Sequence, residues 1–130
     1  MKYATLAIIE KDGQVLLGYK KKGVEEISDI LNGPGGKVET GETPEQCVVR
    51  ETEDELGILL DIYSLEKVAL ITFLAGGIAD FIVHVYRTSV FMGEPQETRV
   101  MVPHWFPIIA IPYERMLEGD REWFPNVLAG

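Results

Sequence analysis

The segment between residues 43 and 57 constrains the fold most, because it carries both the start and the stop signals of one helix. Thr43 suits the N-cap, Pro44 suits the first helical position, and Gln46 completes a capping box three residues after Thr43. Gly57 stands where a helix commonly ends in left-handed backbone. The pattern predicts a helix from Pro44 to Leu56.

Runs of β-prone residues lie on both sides of this helix. Residues 3–9 and 14–19 flank a Lys-Asp-Gly turn, and residues 58–73 and 78–90 flank Ala75-Gly76-Gly77, so each pair predicts a hairpin. Residues 102–108 predict a further strand. The irregular stretch 20–34 is typical of a loop.

Two helix-like stretches follow the strands, one opening at Pro112 and one running from Asp120 to Leu128. Strands and helices that are separated in this way, without regular βαβ alternation, predict an α+β fold. The expected arrangement is an α/β/α sandwich around a central mixed β-sheet. With 130 residues, of which 46% are hydrophobic, the chain is expected to form one domain over residues 1–130.

The charge and the cysteine content exclude several classes of protein. The formal net charge is −9, so the clustered Lys and Arg of a nucleic-acid-binding protein are missing, and polymeric nucleic acid is not an expected partner. No apolar stretch approaches membrane-spanning length, and no membrane partner is expected. Cys47 is the only cysteine, which excludes an intrachain disulfide and favours a cytoplasmic location.

Three carboxylates fall on one face of the predicted helix. At about 100° per residue, Glu55 lies about 40° to one side of Glu51 and Asp54 about 60° to the other. Like charges at this spacing repel, and a hard divalent cation would offset the repulsion. The alternative interpretation is an ordinary solvated acidic face, which most such runs are.

The residues around these carboxylates resemble a known motif. The motif begins at Gly36, and Glu42 follows after five residues, Arg50-Glu51 after seven more, Asp54-Glu55 after two more and Gly57-Ile58 after one more. This spacing is similar to the Nudix box, G-x5-E-x7-R-E-U-x-E-E-x-G-U, where U is a bulky aliphatic residue. The match departs at Thr52, which stands at an aliphatic position, and at Asp54, which stands for a Glu. The chain is thereby identified as a member of the Nudix hydrolases.

This resemblance implies a Nudix fold, with its loop-helix-loop, and a magnesium-dependent active site that also accepts manganese. The metal ligands would be the backbone carbonyl of Gly35 and the carboxylates of Glu51 and Glu55, while Asp54 would be either a ligand or the base for the attacking water. Glu42 and Arg50 would support these carboxylates. The implied catalytic set is Glu42, Arg50, Glu51, Asp54 and Glu55.

Further segments extend the resemblance over most of the chain. VLLGYKKKG, NGPGGKVE, IPYERM and the two WFP sequences are similar to the MutT-like branch that hydrolyses oxidised purine nucleoside triphosphates such as 8-oxo-dGTP. The implied reaction releases a monophosphate and pyrophosphate from a small-molecule nucleotide. The residues implied to contact the substrate are Thr5, Lys20, Asn32, Gly36, Lys37, Met101 and Asp120.

Departures within this branch leave alternatives open. Leu117 stands where vertebrate-type members have a base-stacking Trp, Gly119 where they have an Asp, and Val100 where they have a metal-associated Glu, which Glu97 could replace in part. Their pocket-wall Phe falls near Val24. The alternatives are a hydrolase that acts on another nucleoside diphosphate derivative and a non-catalytic nucleotide-binding module. Members commonly continue into one more strand, so a homodimer that covers a free sheet edge stays open.

Overall fold

The architecture is a central six-stranded mixed sheet with one helix packed on each face, as seen in a computed structural model that describes residues 2–23, 26–75 and 78–130. The strands of this sheet are β1 (Lys2–Lys11), β2 (Gln14–Lys21), β3 (Ile27–Asn32), β5 (Glu66–Ala75), β6 (Ile78–Thr88) and β8 (Met101–Pro107). The strand order is β3-β2-β1-β6-β5, and β8 pairs with β2. Strands β4 (Leu59–Leu60) and β7 (Phe91–Met92) form a separate two-stranded pair.

The sheet is mixed because β1 and β6 run parallel while the other pairs in it are antiparallel. Side chains alternate between its two faces, so each strand contributes to two cores. One core packs against helix α1 (Pro44–Leu56) and the other against helix α2 (Glu118–Ala129). Along β1, Ala7 and Ile9 belong to the α1 side, and Leu6 and Ile8 to the α2 side. The predicted α/β/α arrangement is confirmed.

Helix α1 has the predicted bounds. The Thr43 side chain accepts from the Gln46 backbone N–H at 3.1 Å, and the Gln46 side chain accepts from the Thr43 N–H at 3.0 Å, so both bonds of the capping box are present. Gly57 ends the helix with φ 72°, in the left-handed region. The caps therefore fix where α1 begins and ends, and with that which of its turns carry the acidic residues.

The first predicted hairpin is confirmed, with Asp12 and Gly13 at φ 52° and 76° in its turn. The strand predicted at 102–108 is β8, shifted by one residue, and the second helix-like stretch is α2. The stretch opening at Pro112 holds a single 3-10 turn, Tyr113–Arg115. Within the described residues, no helix has the length and apolar character needed to cross a membrane.

Two predictions, one of a loop and one of a strand, are wrong. Residues 20–34 contain β3, which pairs antiparallel with β2 through Gly18 and Asn32 despite its irregular sequence. The second hairpin is real, but its first strand begins at Glu66, because Asp61 caps a 3-10 turn at Ile62–Ser64 that interrupts the apolar run. The predicted turn at Gly76 and Gly77 lies outside the described residues, as does Val24.

Candidate active site

The loop that precedes α1 passes directly beneath the acidic face of that helix. The backbone N–H of Gly35 donates to Oε1 of Glu55 at 2.8 Å. A Cβ added to Gly36 would lie 2.6 Å from Cδ of Glu51, so the loop approaches this carboxylate more closely than any other residue type would permit. The loop and the helix thus bring Gly35, Gly36, Glu51 and Glu55 together.

Arg50 holds two of the predicted residues in place. Its Nε and Nη2 donate to the two carboxylate oxygens of Glu42 at 2.8 and 3.0 Å, a bidentate arrangement. Its Nη1 donates to Oε1 of Glu51 at 2.5 Å. Because these bonds favour the ionised carboxylate, Arg50 lowers the pKa of Glu42 to about 2. Arg50 therefore fixes the orientation of Glu51 while Glu42 anchors Arg50.

Glu55 has the opposite electrostatic environment. Burial of its carboxyl group, together with the charges of Glu51 and Asp54, raises the pKa of Glu55 to about 7, although the Gly35 N–H and the charge of Lys20 act in the opposite direction. This carboxylate is partly desolvated and faces two like charges, and among the described residues it forms no direct ion pair with a Lys or Arg. This donor set fits a hard cation, since Oε1 of Glu55 accepts the Gly35 N–H, while its second oxygen accepts no hydrogen bond from the described residues.

Asp54 occupies a different position from the two glutamates. Its side chain is 66% exposed and its Oδ2 lies 4.0 Å from Nη1 of Arg50, whereas the Glu51 side chain is 22% exposed. Among the residues that the structure describes, no three His, Cys, Asp or Glu side chains converge as a ready-made metal site. Magnesium typically takes one or two carboxylates and completes its shell with water and phosphate oxygens. Glu51 and Glu55 match that requirement.

Lys20 and Asp120 define a second part of the candidate site. Lys20 lies on β2 close enough to both Glu55 and Asp120 for its charge to lower the pKa of each. Burial nevertheless raises the pKa of Asp120 overall, and its Oδ1 accepts from the Trp123 ring N–H at 3.1 Å. The lysine therefore stands between the acidic helix and the start of α2.

The remaining residues expected to contact substrate take varied positions. Asn32 ends β3 and accepts the Gly33 N–H at 2.9 Å, and the Lys37 ammonium lies 5.7 Å from the Phe81 ring centre. Met101 is buried in the core on the α1 side, packed where Gly18 leaves space. Thr5 is also buried, and its hydroxyl lies against the Cys47 thiol and the Gly36 carbonyl.

Two residues that the sequence did not single out lie at this site. Cys47 contacts the loop carbonyls of Gly36 and Lys37, at 3.5 and 3.4 Å. A Cβ added to Gly119 would lie 3.3 Å from the Phe73 ring, so Phe73 fills the space beside the start of α2. The sequence could have indicated Cys47 as a site residue, because it lies one helical turn before Glu51 on the same face of α1. The sequence offers no comparable signal for Phe73.

Glu97, the expected partial replacement for the acidic residue missing at Val100, forms an ion pair. Oε2 of Glu97 accepts from the Lys21 ammonium at 2.7 Å, which uses this carboxylate in an ion pair. The loop around Glu97 is nevertheless tied to the end of α1, because the Thr98 hydroxyl donates to the Glu55 carbonyl at 2.8 Å. Whether Glu97 contributes to metal binding stays a prediction.

Comparison with known proteins gives three consistent findings. A family model described as the NUDIX domain matches residues 2–127. The chain is 41% identical over 128 residues to the oxidized purine nucleoside triphosphate hydrolase of Danio rerio, covering 98% of this chain and 80% of that protein, and 37% identical over 125 residues to the protein of the same name from Mus musculus, covering 95% and 78%. The solved structure of a MutT NUDIX hydrolase from Burkholderia pseudomallei is similar, with a TM-score of 0.79, 27% identity, and coverage of 98% of this chain and 95% of that one.

Proposed function

The chain belongs to the NUDIX domain family and is a Nudix hydrolase, and on that premise we propose that it converts an oxidised purine nucleoside triphosphate to the monophosphate and pyrophosphate. The Danio rerio and Mus musculus relatives carry names that state this substrate class, and each aligns with nearly the whole chain. Nudix hydrolases generally use divalent metal ions. We assign Mg²⁺ here, with Mn²⁺ as a substitute.

One observation carries the proposal: the loop at Gly35 and Gly36 and the carboxylates of Glu51 and Glu55 meet in a single arrangement. In our assignment the two carboxylates and the Gly35 carbonyl would hold the cation, and water and phosphate oxygens would supply its remaining ligands. When bound, the cation neutralises the diphosphate and lowers the pKa of a coordinated water.

The protein's own residues orient the Glu51 carboxylate and take the proton from the attacking water. Arg50 keeps the Glu51 carboxylate in one orientation through its anchor on Glu42. The oxygen of the attacking water bonds to one phosphorus of the anhydride between the α and β phosphates as that anhydride bond breaks, the nucleoside monophosphate and pyrophosphate separate, and the proton of the water passes to a carboxylate. We assign this role to Asp54, because its side chain is exposed and only distantly paired with Arg50.

The substrate's base and phosphates would occupy opposite sides of Lys20. The Lys20 ammonium faces the phosphates near Glu55, while Asp120 reads the base edge at the start of α2. Leu117 is exposed, and a Cβ added to Gly119 would lie 3.3 Å from the Phe73 ring, so we assign the contact with the base to this ring in place of a stacking Trp. We therefore expect a purine preference that differs in strength from that of the named relatives.

The test is a pyrophosphate-release screen in which kcat/KM is measured against Mg²⁺ concentration. The substrates are dGTP, 8-oxo-dGTP, dATP and 2-hydroxy-dATP, with ADP-ribose and a dinucleoside polyphosphate representing other nucleoside diphosphate derivatives. We expect metal-dependent release of pyrophosphate, fastest with an oxidised purine. Turnover confined to ADP-ribose or the dinucleotide would replace the substrate assignment, and no metal-dependent turnover would refute the assigned site.

Two variants of α1 separate the catalytic role from the charge of the helix. Glu51→Gln removes a proposed ligand and is expected to lower kcat by at least about 100-fold, in keeping with loss of a group that positions the reacting atoms. Glu53→Gln removes an equal charge from an exposed position of the same helix and should leave kcat unchanged. Equal activity of the two variants would contradict the assignment of Glu51.

A further inference from the structure

Two carbonyl groups of the loop before α1, those of Gly36 and Lys37, lie against the buried side chains of Thr5 and Cys47. The Gly36 carbonyl accepts from the Thr5 backbone N–H at 2.8 Å and from the Thr5 hydroxyl at 3.4 Å, and Cys47 Sγ lies 3.5 Å away. The Lys37 carbonyl accepts from the Cys47 thiol at 3.4 Å and from Arg50 at 3.3 Å. The Gly36 carbonyl is therefore held from β1 and the Lys37 carbonyl from α1.

Thr5 and Cys47 also contact each other and connect two elements. Oγ1 of Thr5 lies 3.3 Å from Sγ of Cys47, so the pair links β1 to the first turn of α1. Thr5 is 4% exposed and Cys47 is fully buried, which places the contact inside the protein. Burial raises the pKa of the Cys47 thiol, so it keeps its proton at neutral pH and can donate. Two hydroxyl or thiol protons then serve the neighbouring carbonyls.

The position of this loop decides where the acidic side chains of α1 can lie. The Gly36 backbone is so close to Glu51 that an added Cβ would meet its carboxyl carbon. The preceding N–H, that of Gly35, holds Glu55. A rotation of the Gly36–Lys37 peptide would therefore change the space that the Glu51 carboxylate occupies and would act on the adjoining Gly35 carbonyl.

We propose that Thr5 and Cys47 are positioning residues: their hydroxyl and thiol fix the Gly36 and Lys37 peptides beneath Glu51 and so set the affinity of the site for a divalent cation. The resemblance placed Thr5 near the base, but its buried hydroxyl has these partners instead. Cys47 lay outside the predicted site. The inference rests on the proposed metal-binding role of Glu51 and Glu55.

The test measures binding of Mn²⁺ alone to the metal-free protein, by electron paramagnetic resonance of free Mn²⁺ or by calorimetry, so that it does not depend on turnover. Thr5→Val and Cys47→Ala should each weaken Mn²⁺ binding by about 10-fold, the lower end of what outer-shell partners of a metal site contribute. Thr5→Ser and Cys47→Ser retain a donor and should recover most of that loss. The Thr5→Val, Cys47→Ala double variant should lose less than the product of the single effects, because the two groups touch.

A matched control is available at Thr88, another buried threonine on the sheet. Its hydroxyl lies 2.6 Å from the Ser64 hydroxyl and accepts the Val90 N–H at 3.1 Å, at a position remote from the α1 loop. Thr88→Val should lower the melting temperature, as loss of buried hydrogen bonds does, while Mn²⁺ affinity stays at the wild-type value.

The outcomes distinguish this inference from the proposed function. If wild-type protein binds Mn²⁺ and Glu51→Gln does not, the proposed site stands. Should Thr5→Val and Cys47→Ala then bind Mn²⁺ as tightly as wild type, or should Thr88→Val lose as much affinity as they do, the positioning role is overturned alone. Absence of Mn²⁺ binding by the wild type would overturn the proposed metal site itself.

Discussion

The backbone N–H of Gly35 donates a 2.8 Å hydrogen bond to Oε1 of Glu55, which joins the loop before α1 to the last turn of that helix. These two residues are 20 positions apart, and the segment between them forms a closed unit, because Gly36 approaches Glu51 one turn earlier on the same helix face. A carboxylate that is held by a backbone N–H keeps a defined orientation. The loop therefore determines the geometry of the acidic face as much as the helix does.

Adding a single methyl group to this loop should separate catalysis from folding. Gly36→Ala places a Cβ 2.6 Å from the Glu51 carboxyl carbon, so the side chain of Glu51 must move. We expect kcat to fall by about 100-fold, since displacements near 1 Å from a productive geometry have effects of that size. The measurement is steady-state kinetics beside thermal unfolding. Gly23→Ala is the control, because its Cβ meets nothing within 4 Å; an equal loss in Gly23→Ala would contradict this explanation.

The ion pair between Glu42 and Arg50 should appear in the acid dependence of stability. The pKa of Glu42 is lowered from 4.5 to about 2, so its contribution is fully present above pH 4.5 and is lost as the pH falls towards 2. Glu42→Gln should therefore be less stable than wild type at pH 6, and the two unfolding curves should converge near pH 2. Denaturant unfolding measured across this range provides the test.

Glu39→Gln is the matched control for that pH dependence. Glu39 is also an acidic neighbour of Arg50, but at 3.7 Å and with an exposed side chain. Exposed pairs contribute little to stability. If Glu39→Gln reproduces the pH-dependent loss of Glu42→Gln, the effect belongs to net charge and not to the bidentate bond.

A polar residue in the core should be replaceable with a gain in stability. Thr52 stands at the aliphatic position of the box, and it is fully buried with a hydroxyl that has no hydrogen-bond partner in the described part of the chain. Thr52→Val keeps the shape and removes the unpaired group, so the free energy of unfolding should rise by about 1 to 2 kcal/mol. Thr98→Val should lower it, because the Thr98 hydroxyl donates to the Glu55 carbonyl and accepts the Val100 N–H. Chemical denaturation of both variants checks the opposite signs.

Lys20 should affect substrate binding more than the chemical step. Its charge acts on both Glu55 and Asp120, which places it between the two parts of the candidate site. Loss of a charge-assisted contact to phosphate costs about 1.5 kcal/mol or more, so Lys20→Met should raise KM for a nucleoside triphosphate by about 10-fold or more with a smaller change in kcat. Lys22→Met removes an exposed charge two residues away and should leave KM unchanged. A KM effect of the same size in Lys22→Met would indicate general electrostatic attraction.

Local signals were sufficient where a structure depends on neighbouring residues. The bounds of α1 follow from Thr43, Pro44, Gln46 and Gly57, and the structure shows these bounds because capping is completed within the helix itself. The first hairpin follows from its turn in the same way. In contrast, β3 has a sequence without regular alternation, and its pairing with β2 depends on long-range contacts.

The sequence by itself determined the helix, its acidic face and the loop glycines that identify the family, since the motif and its spacing lie within one continuous segment. Only the tertiary structure decided how those residues differ. It leaves Asp54 exposed and desolvates Glu55, although periodicity gives both the same helix face. It also brings Thr5, 42 residues from Cys47 in sequence, beneath the Gly36 carbonyl. Burial and long-range hydrogen bonds arise from the packing of β1 against α1, which no local pattern of residues encodes.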